Sequence, residues 1–103
     1  MDNPVGWTVS VSSFIRAHFF QPTGPSRAGA DWVVALTRGS ESTKVMVRVY
    51  ADTIPGRSPE QEQELAARYV LSLLNSGWSP ADYRKTPGEL TVPVSFIQSF
   101  MPA

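Results

Sequence analysis

Trp32-Val33-Val34-Ala35-Leu36-Thr37-Arg38-Gly39-Ser40-Glu41-Ser42-Thr43-Lys44-Val45-Met46-Val47-Arg48-Val49-Tyr50 consists of two alternating runs joined by a polar turn. In the first run Trp32, Val34 and Leu36 share one side, against Val33, Ala35 and Thr37. In the second, Val45, Val47 and Val49 stand against Lys44, Met46, Arg48 and Tyr50. A period of two is the mark of a strand with one buried face. Taking Arg38 to Thr43 as the connection sets Thr37 opposite Lys44 in an antiparallel hairpin. Leu36 then faces Val45, Val34 faces Val47 and Trp32 faces Val49, so all six large apolar residues fall on one side. A slip of one residue would set each of them against a partner from the wrong face.

Downstream, the pattern changes to that of a helix. Ser58-Pro59-Glu60-Gln61 has a capping serine, a proline at the first helical position and a glutamine three residues after the serine. Together these satisfy the free N–H groups of a first turn. Leu65, Ala66, Tyr69, Val70, Leu73 and Leu74 recur at helical spacing, which makes one apolar face for packing on the hairpin. Gly77 is free to take the left-handed conformation that ends the helix, and Trp78 can fold back over Leu73 or Leu74. Ser79-Pro80-Ala81-Asp82 repeats the start signal and predicts a helical turn through Arg84. The tail from Glu89 to Met101 alternates at first, then groups Phe96, Ile97 and Phe100. Pro93 confines any strand there to a sheet edge, and residues 93–101 fit a strand or a short helix equally.

Upstream, Trp7, Val9 and Val11 alternate with Thr8, Ser10 and Ser12 before the pattern blurs through Phe14, Ile15, Ala17, Phe19 and Phe20. A bulge or a second short strand explains the blurring. Two prolines and two glycines make Gln21 to Gly29 a loop. The expected fold is α+β: an antiparallel sheet of three to four strands, one main amphipathic helix on one face, a short helical turn and an irregular C-terminal tail. Residues 1–103 are expected to form one domain, a length that buries roughly two-thirds of the unfolded surface.

Nine basic residues balance nine acidic ones, whereas nucleic-acid binding usually calls for a basic excess. The absence of cysteine removes disulfides, thiolate chemistry and thiolate-bound zinc. Neither a signal peptide nor a run of about 20 apolar residues is present, so a cytoplasmic protein with no membrane partner is expected. His18, the single histidine, could act as a base only if Asp31 or Asp52 oriented it. No spacing brings them together, and neither a catalytic constellation, a metal site nor a cofactor is expected. Glu60, Glu62 and Glu64 match the positive end of the helix dipole and are expected to be a solvated helix end. Glu62→Ala should therefore scarcely shift the melting temperature, whereas Val47→Asp should unfold the domain.

The sheet face turned away from the helix is the most suggestive feature. Val33, Ala35, Met46, Arg48 and Tyr50 make it half apolar, and tyrosine, methionine and arginine are enriched in interface cores. This composition fits a non-enzymatic interaction module, an adaptor, inhibitor or self-associating protein that binds a protein partner or forms a homodimer. The alternative is a nucleic-acid site built from Arg38, Lys44, Arg48 and Tyr50, the tyrosine stacking on a base. A small enzyme using His18 is a further alternative.

Overall fold

The computed structural model describes residues 5–85 and 88–100. It is an α+β fold: a four-stranded mixed sheet, mostly antiparallel, with the main helix lying across one face. The strands are β1 (Thr8–Phe19), β2 (Arg27–Arg38), β3 (Glu41–Tyr50) and β4 (Glu89–Thr91), in that order across the sheet. The helices are α1 (Pro59–Asn75), α2 (Pro80–Lys85) and α3 (Val94–Phe100).

Both faces of the central hairpin are as the alternation predicts, but its register is not. Arg38 pairs with Glu41, so Val34 faces Val45, Trp32 faces Val47 and Ala30 faces Val49. The connection is the two residues Gly39 and Ser40 rather than the six from Arg38 to Thr43. Gly39 has φ 58°, and among the described residues none other than glycine has positive φ, the φ signs of a type II′ turn with glycine first. The ladder is thereby offset by two residues from the expected one. An even offset leaves every side chain on its own face, which is why the apolar side survives intact.

The first hairpin is longer than expected. β1 runs through the blurred segment to Phe19, and β2 begins at Arg27, so Arg27 to Gly29 belong to a strand and not to the loop. The register shifts between Val11 and Ser13. This is the bulge that the broken alternation implied: before it the helix-side residues are Val9 and Val11, after it Phe14, Arg16 and His18.

α1 begins and ends as its sequence prescribes. The Gln61 N–H donates to Ser58 Oγ at 3.2 Å while the Ser58 N–H donates to Gln61 Oε1 at 2.8 Å. At the other end the Trp78 N–H reaches the Leu73 carbonyl at 2.9 Å and the Gly77 N–H the Leu74 carbonyl at 3.2 Å. With Gly77 at φ 96°, this is a Schellman closure. Leu65, Ala66, Val70 and Leu74 pack on Val34, Leu36, Val45, Val47 and Val49, all of them buried. Tyr69 packs at the margin of this core and meets the Phe96 ring of α3 at 5.3 Å, and burial raises its hydroxyl pKa.

The last strand departs from the antiparallel expectation. β4 pairs with β3 in parallel, Leu90 opposite Val47. The chain leaves β3, crosses the sheet as α1 and returns to the same end, and a helical crossover of that kind delivers a parallel strand. Of the two alternatives for residues 93–101 the structure takes the helix, and the edge strand is confined to three residues before Pro93. Met101 lies outside the described residues.

Candidate functional site: the outer sheet face

The sheet places Val33, Ala35, Met46, Arg48 and Tyr50 together on the face away from α1, each half-buried. Val33 stands opposite Met46 and Ala35 opposite Lys44. β1 extends this face with Ile15, opposite Asp31 and 64% exposed, and with Ala17 and Phe19. Among the described residues none of the three helices covers it: α1 and α3 lie on the other side, and α2 lies along the far edge of β3.

One end of the face is held by an ordered set of cations and rings. Arg48 donates to Asp31 through Nε (2.8 Å) and Nη2 (3.0 Å), a two-pronged pair. The guanidinium also lies 3.6 Å from the centre of the Phe19 ring. Phe19 meets Tyr50 edge to face at 6.1 Å, and Arg27 sits 3.8 Å over the Tyr50 ring while forking onto Asp52. The Gln21 amide donates to the Tyr50 hydroxyl oxygen at 3.3 Å. That bond, aided by Arg48 and Arg27, lowers the Tyr50 pKa. The Arg27–Asp52 hydrogen bond likewise lowers the aspartate and raises the arginine. Cation–ring contacts of this type contribute about 0.5–1 kcal/mol each at exposed sites, so their effect is to fix side-chain positions more than to stabilise the fold.

Gly29 lies beneath this cluster. A Cβ there would fall 2.6 Å from the Val49 carbonyl oxygen and 3.3 Å from the Phe19 ring. The oxygen is backbone and cannot move aside, so Gly29→Ala is expected to lower stability by roughly 1–3 kcal/mol through overpacking. Thermal denaturation checks this; an unchanged midpoint would mean that β2 and β3 are less closely apposed at this end.

The nucleic-acid set is not brought together. Arg38 lies on the helix side, over the Trp7 ring at 4.5 Å and paired with Glu41. Lys44 is exposed on the outer face, four residues along β3 from Arg48, a separation of roughly 13 Å. Arg48 is engaged by Asp31, and one face of Tyr50 is occupied by Arg27. His18 is exposed opposite Ala28, while Asp31 and Asp52 are held by Arg48 and Arg27. Neither carboxylate is positioned to orient the imidazole. No group of three or more potential metal ligands occurs among the described residues.

The glutamates overturn their expected reading. Glu60 and Glu64 are exposed, but Glu62 is only 5% exposed. Its Oε1 accepts from the Trp32 indole N–H at 2.7 Å, and its two oxygens face Arg16 at 3.3 and 3.4 Å. The position after Gln61 turns inwards because α1 lies flat on the sheet with its first turn over Trp32. Residues two apart on a helix do not share a face, so Glu60 and Glu64 remain in solvent while Glu62 between them faces the core.

Asp31 escaped the sequence reading because the six-residue loop placed it opposite Tyr50, Arg27 because it was assigned to the preceding loop, and Phe19 because the bulge in β1 sets its side. With the Gly39–Ser40 turn the same residues set Asp31 opposite Arg48, and the ion pair follows. Protein families, curated proteins and solved structures yield no match to this chain. Fold and face together define a small α+β fold with one helical layer and, among the described residues, a sheet face that no helix covers. No helix among the described residues is long and apolar enough to cross a membrane.

Proposed function

We propose that this protein is a non-enzymatic interaction module, of adaptor or inhibitor type, that works in the cytoplasm and seats a protein partner, or its own copy, on the outer sheet face. The observation that carries this reading is the uncovered surface around Val33, Ala35 and Met46, continued by the exposed Ile15. A sheet face given over to solvent alone would alternate to polar residues, and an apolar patch with a polar rim suits a docking surface. The Asp31–Arg48 pair and the rings beside it supply order, so the surface loses little side-chain freedom when a partner arrives.

Ala35→Arg places a long cation in the centre of the patch without touching the core. It is expected to abolish capture of a specific partner from cells of the source organism while leaving the unfolding free energy within about 1 kcal/mol of the parent. The captured protein, purified and titrated against the parent chain, should bind it and fail to bind the variant. Equal binding by both would remove this face from consideration.

A further inference from the structure

Arg16, Arg27, Arg38, Arg48 and Arg68 each face a carboxylate. Arg84 does not. Its Nη1 donates to the Thr43 hydroxyl oxygen at 2.6 Å, and among the described residues no carboxylate pairs with it. A guanidinium carries several N–H donors and is never deprotonated in a protein, so one neutral hydroxyl leaves both its charge and its other donors unmatched. Thr43 is buried on the helix side of β3. The bond therefore holds an otherwise exposed side chain in one place.

That place is the wall of a cavity of about 360 Å³ at the turn end of the central hairpin. The end of α1, the start of α2 and the chain before β1 meet there. Val5, Trp7, Leu74 and Trp78 supply its apolar surface, and Arg38 and Arg84 its cations. Arg38 lies over the Trp7 ring at 4.5 Å and donates through Nε and Nη2 to one oxygen of Glu41, at 3.2 and 3.0 Å. The lining thus sets two guanidiniums against one carboxylate, an excess of one positive charge. An apolar cleft of this size with a few convergent polar groups is the usual form of a small-molecule site.

The excess selects the charge of the ligand. A single carboxylate can take the remaining donors of Arg84 in charge-assisted bonds. A dianion is less well matched, because Glu41 stands in the same lining and α1 ends there, at Leu74 and Gly77, with the negative pole of its dipole. The apolar wall selects the body of the ligand. Trp78 is half-buried and Val5 is 62% exposed, so a flat ring laid against them would remove apolar surface from water.

We propose that this cavity binds a small aromatic carboxylate, its ring against Trp78 and Val5 and its charge on Arg84. The cavity lies on the helix side of the sheet, and the proposal does not rest on the outer-face reading.

The three tryptophans allow a direct test. Trp7 and Trp78 line the cavity, whereas Trp32 is bonded to Glu62 at the other end of α1. Titration with phenylacetate, followed by the indole signals in a nitrogen–proton correlation spectrum, is expected to move Trp7 and Trp78 along a saturable curve. The Trp32 signal should stay in place and report an intact fold. Arg84→Gln is expected to keep its thermal transition and its Trp32 signal while binding phenylacetate roughly tenfold or more weakly. The neutral phenylacetamide should bind the parent chain less tightly by a similar factor, and phenyl phosphate less tightly than phenylacetate. Shifts that never saturate, a Trp32 signal that moves with the other two, or an Arg84→Gln variant that binds as the parent does would each overturn the site. Equal binding of the amide would remove the role of charge, and tighter binding of phenyl phosphate would overturn the assignment to a carboxylate.

Discussion

Val47→Asp is expected to leave a chain with no cooperative unfolding transition and with most of its near-ultraviolet dichroism lost. Val47 is fully buried in the middle of the sheet, opposite Trp32 on β2 and Leu90 on β4. Removing the valine forfeits roughly 1.5–3 kcal/mol of burial. A carboxyl group introduced there has no ready partner, because the Trp32 indole N–H already donates to Glu62. Leaving it charged costs at least several kcal/mol, and protonating it still buries polar atoms whose hydrogen bonds are unmet. The sum approaches the whole stability of an ordinary domain, about 5–15 kcal/mol. Val47→Thr separates shape from polarity: it keeps the branched outline and adds one hydroxyl, so a loss of about 1–3 kcal/mol with a retained transition is expected. Urea titration followed by tryptophan fluorescence measures both. Native-like cooperativity in Val47→Asp would mean that β3 is not the centre of the core.

Local signals in this chain were easier to read than its long-range pairings. Ser58, Pro59, Gln61 and Gly77 delimit α1 because caps act within a single turn, and the structure reproduces both ends. The valine side of β3 was readable because alternation depends on parity alone. Register depends on turn length, and there two small residues, Gly39 and Ser40, were outweighed by the polar stretch around them. The parallel direction of β4 has no local signature at all, since three residues cannot say which neighbour they will join. The candidate face shows the same division. Val33, Ala35, Met46, Arg48 and Tyr50 share a side by parity, so the sequence places them correctly. Phe19 and Asp31 join them through a bulge and a register, and Ile15 reaches the outer side only because the bulge reverses the phase of β1. Arg38 was misassigned for a related reason: at the hairpin end its parity places it with Leu36 and the ring of Trp7.

Glu62→Ala, expected from its sequence context to be neutral, is on the structure the second most damaging of these substitutions. The carboxylate is the acceptor for the buried Trp32 N–H, and an indole donor left without a partner costs about 1–3 kcal/mol. Loss of negative charge from the first turn of α1 adds about 0.3–1 kcal/mol. Arg16 contributes little to the penalty: it is half-exposed, its bonds to Glu62 are long, and water can replace them. A total of roughly 1–4 kcal/mol is expected, a fall in melting temperature on the order of 5–20 °C for a chain this size. Glu64→Ala, one turn side away and exposed, serves as the reference and should stay within about 0.5 kcal/mol of the parent. Glu62→Gln keeps an oxygen for the indole and should lose only about 1 kcal/mol, from the weakened contact with Arg16. The sharper test is whether the two buried partners are coupled. Trp32→Phe removes the donor while preserving a ring for Phe14, whose own ring stacks on Trp32 at 4.4 Å. In that background Glu62→Leu should be far less harmful than in the parent, because an apolar pair leaves nothing unsatisfied. Denaturant titration of the four proteins in the cycle is expected to give a coupling of about 1–2 kcal/mol between the two positions. Additive losses would show that the indole and the carboxylate act independently, and that Glu62 faces inwards for packing alone.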